Sequence, residues 1–138
     1  MLTYVRIEDP FVGTNELNVE WVGEEAWTYR TEFASPEYDK HGASVYLILD
    51  GLDTFAKVWL NDELILESEN MFLSHRVDIT QLLRSDAPNT LSIDFESALL
   101  RARQLQEEHP EHRFIAANGE SCRVAVRKAQ YHWVSDKK

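Results

Sequence analysis

The stretch "FAKVWLNDELILES", residues 55–68, reads as two short strands folded back about Asn61-Asp62. Both turn residues tolerate the left-handed backbone that a two-residue hairpin needs, although Asn-Gly is the stronger signal. On the first strand Ala56, Val58 and Leu60 share one face, with Phe55, Lys57 and Trp59 on the other. The face of Trp59 is therefore left open, since its neighbours are mixed in polarity.

Outward from this hairpin the period-two pattern continues. In "TLSIDFE", residues 90–96, Leu91, Ile93 and Phe95 face inward against Ser92, Asp94 and Glu96. In "WTYRTEF", residues 27–33, Trp27, Tyr29, Thr31 and Phe33 oppose Thr28, Arg30 and Glu32, which places Trp27 in a core. "SVYLILD", residues 44–50, is almost continuously apolar and reads as a central strand covered on both faces. "SHRVDIT", residues 74–80, is a further strand. "TQLLRSDAPN", residues 80–89, reads as a short turn of helix and a loop.

One helix is expected from about Ser97 to His109, where Ala98, Ala102 and Leu105 recur at helical spacing and Pro110 ends it. A turn at Asn118-Gly119 then leads into a last strand near Arg123 to Lys128. Short strands, regular turns and one peripheral helix define an all-β class, a β-sandwich in a single domain.

Composition narrows the function. The chain has 138 residues, 43% of them hydrophobic, and a formal net charge of −10. Enough core-forming material is present for a globular domain, and the acidity disfavours nucleic acid and anionic membrane as partners. Five Lys/Arg against one Asp make residues 121–138 a basic end on an acidic body. Cys122 is the single cysteine, so no intrachain disulfide forms, and no local histidine pattern marks it as a nucleophile. The opening "MLTYVRIEDP" has no apolar core of a signal peptide, and no apolar run is of membrane-spanning length. The expectation is a soluble, cytoplasmic protein.

Chemistry-bearing patterns are sparse. Glu107-Glu108 are adjacent on the helix and diverge by about 100°, which makes them a solvated face. Asp50 and Asp53 flank the Gly51 turn and read as turn formers, and Asp62-Glu63 fall at the hairpin. "EHPEH" offers His109 and His112 beside Glu108 and Glu111, but Pro110 prevents the two histidines from sharing a helical face, so no metal is expected. Ser74-His75 lie in a strand without a nucleophile elbow, and no glycine-rich phosphate loop exists. Aromatic side chains remain: Trp21, Trp27, Trp59 and Trp133, with Tyr29 and Tyr131, are candidates to stack on sugar rings. Trp133 lies beyond the last alternation and is the candidate loop aromatic at a ligand site.

Three stretches, "PFVGTNELNVEWVGEEAWTYRTEF" (10–33), "DGLDTFAKVWLNDELILESENMFLSHRVDIT" (50–80) and "VRKAQYHW" (126–133), resemble the N-terminal domain of β-mannosidases of glycoside hydrolase family 2, of the fungal intracellular type. The resemblance covers nearly the whole chain. It implies a galactose-binding-like, jelly-roll β-sandwich over residues 1–133, with the opening strand missing, followed by a diverged tail at 134–138. It also implies an intact enzyme that removes terminal β-D-mannose from the non-reducing end of β-mannosides, with retention of configuration and no cofactor.

Members of that family continue into an immunoglobulin-like domain and a (β/α)8 barrel, and the barrel carries both catalytic glutamates. No glutamate in this chain inherits either role, and alone it is expected to be catalytically silent. The family continues "RKAQYH" into Trp-Gly-Trp-Asp-Trp, whose aspartate contacts the terminal mannose. Here Trp133 matches, Val134 and Ser135 replace Gly and Trp, Asp136 matches, and Lys137 replaces the last Trp. Trp133 and Asp136 are therefore the candidate substrate-binding residues. The implied partners are β-mannoside sugars, in the context of the intact enzyme, and the downstream domains. Two other readings are a stand-alone carbohydrate-binding module and a fragment that docks on a full-length relative. Loss of the opening strand and of the barrel would leave an unpaired edge and exposed apolar surface, with a tendency to associate.

Overall fold

A computed structural model describes residues 7–39 and 42–112. They fall into two compact units, one formed by Ala26–Ser97 and the other by residues 7–25 with 98–112.

The first unit is built of antiparallel strands. In chain order they are β1 (Trp27–Phe33), β2 (Tyr46–Leu49), β3 (Ala56–Leu60), β4 (Glu63–Ser68), β5 (His75–Asp78) and β6 (Asn89–Phe95). One sheet has the order β1-β6-β3-β4, and β2 pairs with β5 in a second. Alternation decides what lies between them. Leu52, Ala56 and Val58 form the buried cluster, with Leu47 and Leu49 of β2 and Leu91, Ile93 and Phe95 of β6 packed against it. The inward face read from residues 90–96 is the face observed.

The hairpin also forms where expected. Asn61 and Asp62 have φ of 52° and 70°, the left-handed pair of a type I′ turn. Asn-Asp serves here because Asn61 is fixed by more than its dihedral. Its backbone N–H donates to the Thr90 carbonyl at 2.9 Å and its Oδ1 accepts from the Thr90 N–H at 3.0 Å. Its Nδ2 donates to the Leu82 carbonyl at 2.7 Å and to Asn89 Oδ1 at 2.9 Å. A bulge between Val58 and Trp59 shifts the β3–β4 register, so Trp59 lies opposite Leu64.

Three expectations change. The run 44–50 is not covered on both faces: Tyr46 and Ile48 are 39% and 64% exposed, while Leu47 and Leu49 reach the core. A two-stranded sheet offers one buried face, and a continuous apolar run does not show that. Trp27 is only partly buried and Tyr29 is 67% exposed, its ring edge-on to Phe95 at 5.8 Å. β1 is an edge strand among the described residues, so its apolar face sits at the margin of the sandwich. Of the helical turn and loop expected over residues 80–89, only the loop forms: residues 80–88 make turns and bends, with Leu82 N–H donating to the Ile79 carbonyl at 3.0 Å. The Leu82 and Arg84 carbonyls are taken by the side chains of Asn61 and Ser35.

The end of β5 is tied to the start of β2. Thr80 Oγ1 accepts from the Val45 N–H at 2.8 Å and donates to Asp78 Oδ1 at 2.6 Å. The Thr80 hydroxyl, then its backbone N–H, and the Arg76 charge hold the Asp78 carboxyl below the ordinary carboxylate range.

A close backbone approach explains Gly51. A Cβ there would lie 2.7 Å from the Met71 carbonyl oxygen. Gly51→Ala should therefore destabilise the chain by about 2 kcal/mol, since backbone has to move. Urea denaturation of the variant measures this, and an unchanged midpoint would mean that the 71–73 turn yields freely.

The second unit holds three short helical segments, α1 (Asn15–Asn18), a 3₁₀ helix (Glu20–Glu24) and α2 (Ala98–Glu108). Only α2 carries the periodicity that announces a helix. Ala98 and Ala102, one turn apart, are its buried residues. It packs on the 3₁₀ helix, where Arg103 Nη1 lies 3.6 Å from Glu24 Oε1. The helix stops at Glu108, two residues before Pro110, as the proline geometry requires. α1 and the 3₁₀ helix are one-turn features below the length at which periodicity can be read.

Candidate functional site

The strand register brings together side chains that are far apart in sequence. Arg30 of β1 lies opposite Ser92 of β6, and Ser92 lies opposite Trp59 of β3. In the next row Thr28, Asp94 and Lys57 are in register. Both rows alternate with the core-facing residues, so they occupy the outer face of the four-stranded sheet. This settles the face of Trp59.

On that face Arg30, Trp59, Asp62, Thr90, Ser92 and Asp94 line a depression of about 280 Å³. Thr28 Oγ1 donates to Asp94 Oδ1 at 2.6 Å, and Lys57 Nζ lies 3.6 Å from Glu67 Oε1. The Lys57–Glu67 pair is solvated and contributes little. Trp59 is partly buried between Ser92 and Leu64, and its buried Nε1–H has no hydrogen-bond partner among the described residues. That is unusual, because buried polar atoms are nearly always paired.

The other candidates separate. Glu107 and Glu108 are exposed on α2. Asp53 accepts a short hydrogen bond from the Thr54 hydroxyl. His109 Nδ1 lies 3.3 Å and His112 Nε2 3.7 Å from the same Glu111 oxygen, all three side chains being exposed. The Glu111 carboxyl is held below its ordinary range, chiefly by its own backbone N–H and further by the two imidazoles. Such a group is an ionised surface carboxylate, the opposite of a general acid. No cluster of three or more His, Cys, Asp or Glu among the described residues is placed to hold a metal. Ser74 Oγ donates to the Asp50 carbonyl at 3.2 Å, whereas His75 Nε2 lies 3.1 Å from Ser68 Oγ. The two neighbours serve different partners and form no catalytic pair.

Trp21 belongs to the 3₁₀ helix and is 41% exposed. Trp133 and Asp136 lie outside the described residues, as do Cys122, Tyr131, the Asn118-Gly119 turn and the strand expected near 123–128. Sequence reading missed the row Arg30–Ser92–Trp59, because pairing across three strands leaves no local signature.

Antiparallel sheets packed about one apolar core define the class of the fold, a β-sandwich domain. The chain belongs to the glycosyl hydrolase 2 galactose-binding domain-like family, whose pattern matches residues 1–137. It is 55% identical over 128 residues to Beta-mannosidase B of Emericella nidulans, covering 93% of this chain and 15% of that protein. Its identity to Beta-mannosidase B of Thermothelomyces thermophilus is 56% over 127 residues, or 92% of this chain and 15% of the relative. The crystal structure of β-D-mannosidase from Dictyoglomus thermophilum superposes with a TM-score of 0.78 at 35% identity, over 92% of this chain and 15% of that one. The galactose-binding-like β-sandwich that the resemblance implied, and whose all-β class the strand pattern gave, is thereby established. This chain spans 15% of the length of these relatives. No described helix is long and apolar enough to cross a membrane.

Proposed function

We propose that this chain is the N-terminal domain of a glycoside hydrolase family 2 β-mannosidase, an enzyme that hydrolyses terminal non-reducing β-D-mannose from β-mannosides. One observation supports the reading above all: 55% identity sustained over 93% of the chain to a protein called Beta-mannosidase B. Identity at that level over so much of the chain reflects more than a shared architecture. The proposal gives the domain a supporting part in catalysis. It forms one wall of a sugar pocket whose two carboxylates lie on another domain, with Trp133 and Asp136 as its contacts to the mannose. Residence in the cytoplasm belongs to the same reading, supported by a single cysteine in 138 residues.

Purified 138-residue chain should release no p-nitrophenol from p-nitrophenyl β-D-mannopyranoside, and the product of the locus extended through its following sequence should release it. In that longer product Asp136→Ala should lower kcat/KM by about tenfold or more, the loss of a hydrogen bond to substrate. Turnover by the isolated chain that survives replacement of its carboxylates one at a time would overturn this division of labour.

A further inference from the structure

We infer that the outer face of the four-stranded sheet carries a binding site for one neutral pyranose ring, centred on Trp59. The site is the depression lined by Arg30, Trp59, Asp62, Thr90, Ser92 and Asp94. It is separate in sequence from Trp133 and Asp136, and it does not rest on the hydrolase reading. A sheet face with the same residues would bind a sugar whether or not a catalytic domain follows.

The chemistry of the lining selects the ligand. A pyranose combines an apolar C–H face with a ring of hydroxyls that donate and accept. The indole provides the apolar surface, with Leu64 beside it in register. Around it stand one guanidinium that only donates, two carboxylates that only accept, and two hydroxyls that do both. The Trp59 Nε1–H is buried, with no hydrogen-bond partner among the described residues, so what the indole offers a guest is apolar surface. Two Asp against one Arg disfavour phosphate or any other anion. The charged and hydroxylic rim disfavours a purely apolar ligand, which would leave those groups desolvated and unpaired. Size sets the limit of one ring: about 280 Å³ lies just below the usual range of small-molecule sites.

Indole ¹H–¹⁵N resonances of the full 138-residue chain provide the test. Trp59→Phe assigns the Trp59 signal among the four tryptophans. Methyl β-D-mannopyranoside, methyl β-D-glucopyranoside and methyl β-D-galactopyranoside are then titrated separately to about 100 mM, a range that captures millimolar affinity. The expected result is a saturable shift of the Trp59 resonance with at least one sugar, its Kd about tenfold weaker in Arg30→Ala. Arg30 is exposed on β1, so an otherwise unchanged spectrum shows that this variant keeps the fold. A Trp59 signal that stays still with all three sugars overturns the inference. So does a shift that Arg30→Ala leaves untouched, or inorganic phosphate binding more tightly than any of the sugars.

Discussion

Asn89→Ala is expected to lower the free energy of unfolding by about 3 kcal/mol. Asn89 is 0% exposed at the start of β6, and each of its side-chain groups is engaged. Its Oδ1 accepts from the Arg84 N–H at 2.8 Å and from Asn61 Nδ2 at 2.9 Å, while its Nδ2 donates to Ser35 Oγ at 2.9 Å. Ser35 in turn donates to the Arg84 carbonyl at 2.6 Å. Three segments distant in sequence meet on this one amide: the chain after β1, the β3–β4 hairpin and the turn before β6. Truncation leaves the Arg84 N–H without its acceptor and strips one hydrogen bond each from Asn61 Nδ2 and Ser35 Oγ, which keep the Leu82 and Arg84 carbonyls, so three hydrogen bonds are lost together with a fully buried side chain. Ser35→Ala removes two hydrogen bonds at the partly exposed rim of the network and should cost about 1 kcal/mol. Urea denaturation of both variants checks the ranking. Equal midpoints for wild type and Asn89→Ala would show that the network adds no stability to the fold.

This network also explains which parts of the fold were legible in the sequence. The alternation of residues 90–96, the hairpin at Asn61-Asp62 and the boundaries of α2 are local signals, and each stands in the structure where the pattern puts it. Of the helical turn and loop expected over residues 80–89, the loop forms and the helical turn does not, because the conformation is imposed from outside, by Asn61 and Asn89, which hold Leu82 and Arg84. The candidate site divides along the same line. Trp133 and Asp136 came from a continuous motif. The row Arg30–Ser92–Trp59 spans three strands and becomes visible only when their register is known. Tyr29 shows the limit of hydropathy at an edge: its face is apolar in sequence, but among the described residues β1 has one neighbouring strand and little to bury against.

Leu60→Ala should cost about 3 kcal/mol, and Ile48→Ala should change stability by less than about 0.5 kcal/mol. By hydropathy alone the two residues rank alike, and the run around Ile48 is the more continuously apolar. The sheets separate them. Leu60 closes β3, is 1% exposed, and lies opposite Leu91 of β6. Removing its branched side chain opens a cavity that the neighbouring backbone, fixed by the Asn61 and Thr90 hydrogen bonds, cannot collapse to fill. Ile48 faces away from the core on β2 and is 64% exposed, opposite Arg76. The Arg76 guanidinium stacks instead on the Tyr46 ring at 3.7 Å, so the outer face of β2–β5 loses little when Ile48 is cut back. Urea midpoints for the two variants decide the matter. If Ile48→Ala proved the more damaging, the outer face of the smaller sheet would be a covered surface in solution, and the one-sided burial assigned to β2 would be wrong.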